Sequence, residues 1–341
     1  MINTRLFDWY GIDTKKDLQI KNNVWNKKIY CTRPYDTVLI DKKGSCYLCE
    51  CTSWLPQSVG NLYIQSLDDI VNSKMSAELR NSIADSSYRY CNNKQCAYLL
   101  SIDEYNAPEW PTTIPINKIK NIRLALDDSC NLSCPSCRVK PIFEKNKLLL
   151  RKKFKIADKI IEFIQKQKNI ITIHIGSDGD PFASLVYRYF VDATKNLNNT
   201  RFTIQTNGLL IKKMYNRFKP LFEKLDTLNI SIDGATKDTY EKLRRGGRWK
   251  IILENLNFLN LIKKKFSVNL HMVVQQDNWH EMSTMLELGE KFNVSKIYFN
   301  KIQDWNTGLD FTKQTFMQDK NFLKLLEEIK TNPLSYTNTL L

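Results

Sequence analysis

No cysteine occurs after Cys137, although the 341-residue chain carries nine. Histidine is scarcer still: His174, His271 and His280 are the only copies, and none has a second histidine at ligand spacing, so they read as core or surface residues rather than metal ligands. Acidic residues are in deficit, 36 against 51 Lys plus Arg, which leaves a net charge of +15. No window offers the roughly 18 uninterrupted apolar residues of a spanning helix. The opening stretch MINTRLFDWYGIDTKKDLQIKNNVWNKK also lacks the apolar run of a secretory signal. An odd cysteine total argues against a fully paired disulfide scaffold. These absences place the chain in a reducing cytoplasm, with thiols free for metal, and a 42% hydrophobic share excludes a disordered tail.

What is present is uneven. Six cysteines precede residue 100, and three more fall between 130 and 137. The first hundred residues combine an extended run (TVLI), a turn signal (DKKG), a cysteine-rich stretch (CYLCEC) and a polar helical segment, as a small ligand-stapled unit would. EYNAPEWPTTIP, with three prolines, breaks any regular element and reads as a linker. From Asn121 onward six short strand patterns, NIRLALD, NIITIHIG, TRFTIQT, TLNISID, SVNLHMVV and SKIYFNKI, alternate with helical ones. Repeated strand-helix units imply a parallel α/β sheet, either doubly wound or a partial barrel, with its chemistry in the loops after the strands.

The loop after the first of these strands reads LDDSCNLSCPSCR, which puts Cys130, Cys134 and Cys137 at spacing C-x3-C-x2-C. Three thiolates in one loop can hold three corners of a four-iron cluster and leave the fourth iron open to a small molecule. A zinc site or plain buried thiols are the alternatives.

This motif, placed after the first strand, resembles that of the radical SAM enzymes, whose fold is a partial (β/α)6 TIM-like barrel. The likeness runs from about Lys118 to Asn306. It implies a [4Fe-4S] cluster on Cys130, Cys134 and Cys137, with S-adenosylmethionine (SAM) at the open iron. By the same resemblance Gly179, Asp180 and Pro181 after strand two form the segment that meets the SAM amino group. Thr206 and Asn207 after strand three, and Ser231 and Asp233 on strand four, correspond to polar groups around SAM, and Arg244 to a partner of its carboxylate. Each short match is weak alone, and their order after successive strands gives them weight. Two departures stand out: Ser136 where many members have an aromatic residue, and GDP where many have GGEP. The implied chemistry is one-electron cleavage of SAM to methionine and a 5′-deoxyadenosyl radical, which takes a hydrogen atom from substrate.

The first hundred residues give C-x12-G-x4-C from Cys31 through Gly44 to Cys49, closed by Cys91 and Cys96. This resembles the SPASM or twitch module of the same class, an α+β unit that holds an auxiliary iron-sulfur cluster. The resemblance implies Cys31, Cys49, Cys91 and Cys96 as its ligands and leaves Cys46 and Cys51 spare. A zinc ribbon, with Cys46 and Cys49 facing Cys91 and Cys96, is the alternative. Cys51, or else Cys46, is a candidate hydrogen-atom donor, and Asp304 with Trp305 a candidate substrate contact after strand six. His271 on strand five is the histidine expected to face the lumen.

The expected organisation is an auxiliary module over 1–106, a linker over 107–119, the partial barrel over 120–310 and a helical extension over 311–341. The expected function is oxidation, epimerisation or cross-linking of a saccharide or nucleotide-linked substrate, by analogy with related enzymes. Maturation of a ribosomal peptide or protein side chain is the alternative, and a zinc- or nucleic-acid-binding protein without catalysis is the alternative from another class. A reductase such as flavodoxin or ferredoxin is the expected electron donor. The basic balance favours a neutral or anionic substrate, no nucleic-acid motif recurs, and no membrane partner is expected.

Overall fold

The computed structural model describes residues 31–92, 95–96, 118–262, 265–304 and 308–337. The linker expected over 107–119 falls almost wholly outside the described residues, as does Trp305. The chain divides into two compact units, Met1–Leu39 with Ser45–Lys120, and Ile40–Gly44 with Asn121–Leu341.

β1 (Thr37–Asp41) leads through a turn into β2 (Ser45–Tyr47) of the smaller unit, which pairs antiparallel with β3 (Gly60–Asn61). Gly44 closes that turn at φ +76°, a conformation that costs other L-residues strain, and its N–H donates to the Asp41 carbonyl at 2.9 Å. The glycine of the C-x12-G-x4-C spacing is therefore a turn residue. Two helices follow, Leu67–Val71 and Lys74–Ala84, capped by Ser66 and Ser73. Buried Arg80 ties the second to the segment before β1, donating from Nε to the Pro34 carbonyl at 2.8 Å.

The larger unit is a parallel sheet with its strands side by side in chain order: β4 (Asn121–Ala125), β5 (Ile171–Ile175), β6 (Thr200–Thr206), β7 (Leu225–Ser231), β8 (Ser267–Val274), β9 (Lys296–Lys301) and β10 (Ser335–Thr337). The six expected strands are all present. β10 is a seventh, unforeseen because three residues are too few to show an alternating pattern. Among the described residues no pairing joins β10 to β4, so the barrel is partial and not closed.

Alternation along these strands separates two faces. One carries Ile122, Leu124, Ile173, Ile204, Leu228, Ile230, Leu270, Met272, Ile297 and Phe299, all fully buried. Against it pack amphipathic helices such as Lys147–Lys166, which buries Ile156, Ala157, Ile160, Ile161, Phe163 and Ile164 and is capped by the Asn146 side chain. Each such side chain contributes roughly 1.5–3 kcal/mol. The other face is polar: Thr172, His174, Thr203, Gln205, Asn229, Ser231, Asn269, His271, Tyr298 and Asn300. Among the described residues no helix is long and apolar enough to cross a membrane.

The end of β4 is fixed by a buried polar network. Tyr187 Oη accepts from the Leu126 N–H and donates to the Leu124 carbonyl, both at 3.0 Å. Asp127, 1% exposed, accepts from Lys153 Nζ at 2.7 Å and from Ser184 Oγ at 2.6 Å. Lys153 also reaches Glu144 at 3.3 Å, and burial, which would lower its ammonium, is outweighed by the two carboxylates. Removing one member of such a pair leaves a buried charge uncompensated. Lys153→Met should therefore cost about 3 kcal/mol in urea unfolding, and adding Asp127→Asn should recover part of that loss.

Candidate functional site

The cysteine loop begins where β4 ends and is held along its whole length. Cys130 and Ile142 exchange backbone hydrogen bonds at 2.7 and 3.0 Å, the Glu144 N–H donates to Ser129 Oγ at 3.0 Å, and Ser133 N–H donates to the Arg245 carbonyl at 3.0 Å. Gly179, from the loop after β5, lies against this backbone so closely that a Cβ would come 2.5 Å from the Ser129 carbonyl oxygen and 2.7 Å from that of Asp127. Only glycine permits that approach.

Two other loops and the cysteine loop itself supply donors to the thiols. Asn207 Nδ2, after β6, donates to Cys130 Sγ at 3.8 Å and to Asn131 Oδ1 at 2.9 Å. Arg244 Nη1, beyond β7, donates to Cys134 Sγ at 4.0 Å. Arg138 Nε donates to Cys137 Sγ at 3.4 Å, while its Nη1 holds the Asp128 carbonyl at 2.6 Å and its Nη2 that of Asp178. Each thiol thus meets one N–H donor. Cys137 is exposed, whereas Cys134 is buried. Burial pushes Cys130 up to about 11 and also raises Cys134, against the opposing pull of Arg244. Metal binding here would displace thiol protons.

The candidate SAM residues divide by what they touch. Asp180 is fully engaged, accepting from Thr206 Oγ1 at 2.7 Å, from the Asn207 N–H at 2.8 Å and from the Phe182 N–H at 3.1 Å, with Pro181 opening the short turn it caps. Burial nevertheless raises its carboxyl. Asp233 pairs with Arg244 Nε at 2.9 Å and accepts from the Val273 N–H at 2.9 Å; this carboxylate holds the guanidinium, despite burial, above its ordinary range. Gly179, Asp180, Thr206, Asn207, Asp233 and Arg244 therefore gather around the cysteine loop. Ser231 stands apart on the polar face, accepting from Gln205 Nε2 at 2.5 Å. Asp304 is exposed beyond β9.

On that polar face His271 stacks on Tyr298, centroids 4.5 Å apart at 16°, and Tyr298 meets Tyr336 at 5.1 Å. Burial first, and then Arg244, lower His271 to about 4, so the ring is neutral at pH 7. Its Nε2 has no hydrogen-bond partner among the described residues. The sequence had singled out His271; it missed Arg138, Lys153 and Tyr298. Tyr298 was detectable from the alternation in SKIYFNKI, whereas nothing in the sequence separates Arg138 or Lys153 from neighbouring surface cations.

In the smaller unit Cys31, Cys49, Cys91 and Cys96 line a single cavity of about 20 Å³, together with Arg33, Trp54 and Tyr88. Among the described cysteines, Cys46 and Cys51 do not line it. Burial pushes Cys31 up to about 11 and Cys49 up to about 12. Among the described residues no three His, Cys, Asp or Glu side chains are gathered as around a single ion. Thiolates on one zinc lie about 3.8 Å apart, given a Zn–S bond near 2.3 Å. Four thiols lining one cavity have the donor chemistry of an iron-sulfur cluster site, and the three-thiol loop, with an N–H donor per sulfur, likewise fits cluster ligation.

A parallel α/β sheet with a thiol-rich loop at the C-terminal end of its first strand defines the class of a cofactor-dependent partial barrel. Its domains are particular ones: residues 127–289 match the family model of the Radical SAM superfamily, and residues 31–97 that of the SPASM iron-sulfur cluster-binding domain. The cofactors of this pair of domains are SAM and iron-sulfur clusters. Among curated proteins the chain is similar to the GTP 3′,8-cyclase of Lactiplantibacillus plantarum, 30% identical over 169 residues, which are 46% of this chain and 47% of that one. The probable GTP 3′,8-cyclase of Saccharolobus solfataricus is 22% identical over 193 residues, 56% of this chain and 59% of that one. The chain spans about half the length of these relatives. Among solved structures it is similar to Streptococcus suis SuiB bound to S-adenosylmethionine, at 14% identity and a TM-score of 0.48, over 79% of this chain and 62% of that one. It is also similar to anSMEcpe with bound AdoMet, at 17% identity and a TM-score of 0.45, over 64% and 60% of the two chains.

Glu281 braces the rim of the site. It accepts from the Ala235 and Thr236 N–H groups at 2.6 and 3.1 Å and from the Thr236 and Thr239 hydroxyls at 2.7 and 2.5 Å. Burial raises its carboxyl, and these bonds more than reverse that, leaving it below its usual range. A depressed carboxyl contributes stability above its unfolded pKa, near about 4.3, and loses it as pH falls through the folded value. Glu281→Gln should cost about 1–3 kcal/mol in urea melts at pH 7, with the gap to wild type closing in acid; a gap independent of pH would contradict this.

Proposed function

We propose that the chain is a radical SAM enzyme that cleaves SAM reductively and abstracts a hydrogen atom from a saccharide or nucleotide-linked substrate, with an auxiliary-cluster module ahead of its barrel. The observation that carries the reading is the three-thiol loop at the end of β4, each sulfur met by its own N–H donor. When bound to Cys130, Cys134 and Cys137, a four-iron cluster with one open iron supplies SAM with one electron at low potential. Hydrogen bonds from Asn207, Arg244 and Arg138 to the sulfurs tune that potential. The turn at Gly179, Asp180 and Pro181 forms the floor for the SAM amino group, with Asp180 acting by holding Thr206 and Asn207 in place. Arg244, set by Asp233, would meet the SAM carboxylate, and Thr206 and Asn207 would serve the ribose, with Ser231 the further polar group of β7. Cys31, Cys49, Cys91 and Cys96 hold the auxiliary cluster; Cys51 is kept for hydrogen-atom return and Asp304 for substrate contact. An electron donor such as flavodoxin or ferredoxin and a cytoplasmic location complete the reading.

The substrate preference is supported by the polar inner face of the sheet, which suits hydroxyl- and phosphate-rich molecules, and by the relatives whose names specify GTP. Neutral His271, with Nε2 uncommitted and its ring fixed by Tyr298, serves as a substrate hydrogen-bonding group.

Anaerobic reconstitution should give about eight irons per chain, as for two four-iron clusters. Cys130→Ala should abolish 5′-deoxyadenosine formation under Ti(III) citrate, whereas Cys91→Ala should retain about half the iron. Zinc without iron would sink the reading. Nucleotides and nucleotide sugars should raise 5′-deoxyadenosine formation more than short peptides do; the reverse would establish peptide maturation instead. With the stimulating substrate, His271→Leu should lower kcat/KM about fivefold to tenfold, the value of one neutral hydrogen bond, while leaving substrate-free SAM cleavage unchanged.

A further inference from the structure

We propose that the segment leaving the cysteine loop, residues 137–155, is the docking surface for an acidic one-electron carrier protein of the flavodoxin or ferredoxin kind. This rests on the radical SAM reading above and adds to it the place where the electron enters.

The argument begins with charge. The exposed charged residues of this segment, Lys140, Lys145, Lys147, Arg151, Lys152 and Lys155, are all cations. Its one acidic residue, Glu144, is turned inward to Lys153 Nζ at 3.3 Å. None of the six cations joins an ion pair among the described residues. Between them lie exposed apolar side chains: Val139 is 79% exposed, Leu148 62% and Phe143 50%. On the helix Lys147–Lys166, Leu148, Arg151, Lys152 and Lys155 recur at three- and four-residue spacing and share one exposed face, beside the buried stripe of Ile156, Ile160 and Ile164. Apolar groups rimmed by charge of one sign mark a protein contact rather than a solvated face. The sign selects the partner, because complementary charge speeds encounter and rejects other proteins.

Position supplies the second observation. Cys137, the exposed thiol of the three, opens the segment. Arg138 bonds its sulfur and also clamps two neighbouring backbone carbonyls. Electron transfer falls off steeply with distance, so a carrier must dock where the receiving sulfur reaches the surface. At this interface the carrier is oxidised by one electron and the loaded site reduced by one, with no group transferred. Redox encounters bury less than about 1,200 Å² and are weak and salt-dependent, which a segment of this length can supply.

The test compares wild type with Lys140→Glu/Lys147→Glu/Lys152→Glu, in which exposed residues outside the cluster and SAM machinery are reversed. The probe is a bacterial flavodoxin, with binding followed by calorimetry at low and high salt. Association should weaken about tenfold or more and lose its salt dependence. Flavodoxin-driven 5′-deoxyadenosine formation should fall in parallel, while formation driven by Ti(III) citrate, which needs no docking, stays at the wild-type rate. Unchanged flavodoxin binding in the triple variant would overturn the proposal. If wild type made no 5′-deoxyadenosine with Ti(III) citrate, the function reading would fail, and the binding measurement would still decide the docking surface.

Discussion

A buried carboxylate at the end of the first barrel strand holds the rest of the site in place. Asp127 joins β4 to two helices through Lys153 and Ser184, and Ser184 also caps the helix it opens. An ion removed from water is stable only where every partner is in position. That requirement fixes where β4 stops, and hence where the loop of Cys130, Cys134 and Cys137 begins. Gly179 then allows the next loop to lie directly on this backbone, and the Asp180 N–H donates to the Ser129 carbonyl at 2.8 Å. One buried ion pair thus supports the loop, and a second, Asp233 with Arg244, reaches the Cys134 sulfur itself.

The same division runs through the sheet. Its outer face is closed by aliphatic packing against helices, and its inner face keeps amides, hydroxyls and imidazoles that bond to one another, as Asn269 does to Asn229 at 3.0 Å. Gln205 with Ser231 and His174 with Asn121 are further pairs of this kind. His271 is an exception, with one nitrogen uncommitted beside a stacked tyrosine. In the smaller unit the thiols are part of the core: Cys31, Cys91 and Cys96 pack with Tyr35, Ile83, Trp54 and Tyr88. Small domains of this sort commonly draw on bound metal for stability.

Much of this was legible in the amino-acid order. The alternating β-branched runs located six strands because burial on one face demands a period of two, and the C-x3-C-x2-C spacing marked the loop because few other chemistries need three thiols so close. The match of the SPASM model to residues 31–97 agrees with the resemblance drawn from Cys31, Gly44 and Cys49. The partners of those residues were not legible. Asp180 stands in a segment expected to meet SAM directly, yet its carboxylate is taken up by Thr206 and Asn207, which arrive from a strand later in the chain.

The sequence alone thus located six strands, the order of the loops and the three-cysteine loop, since periodicity and spacing are local properties. Only the tertiary structure decided which side chains meet across them: Arg244 with Asp233 and Cys134, Lys153 with Asp127, His271 with Tyr298. Those pairs join residues from 11 to 110 positions apart or lie on neighbouring strands, and charge and shape select a partner at that range only after the backbone has brought both groups out of water.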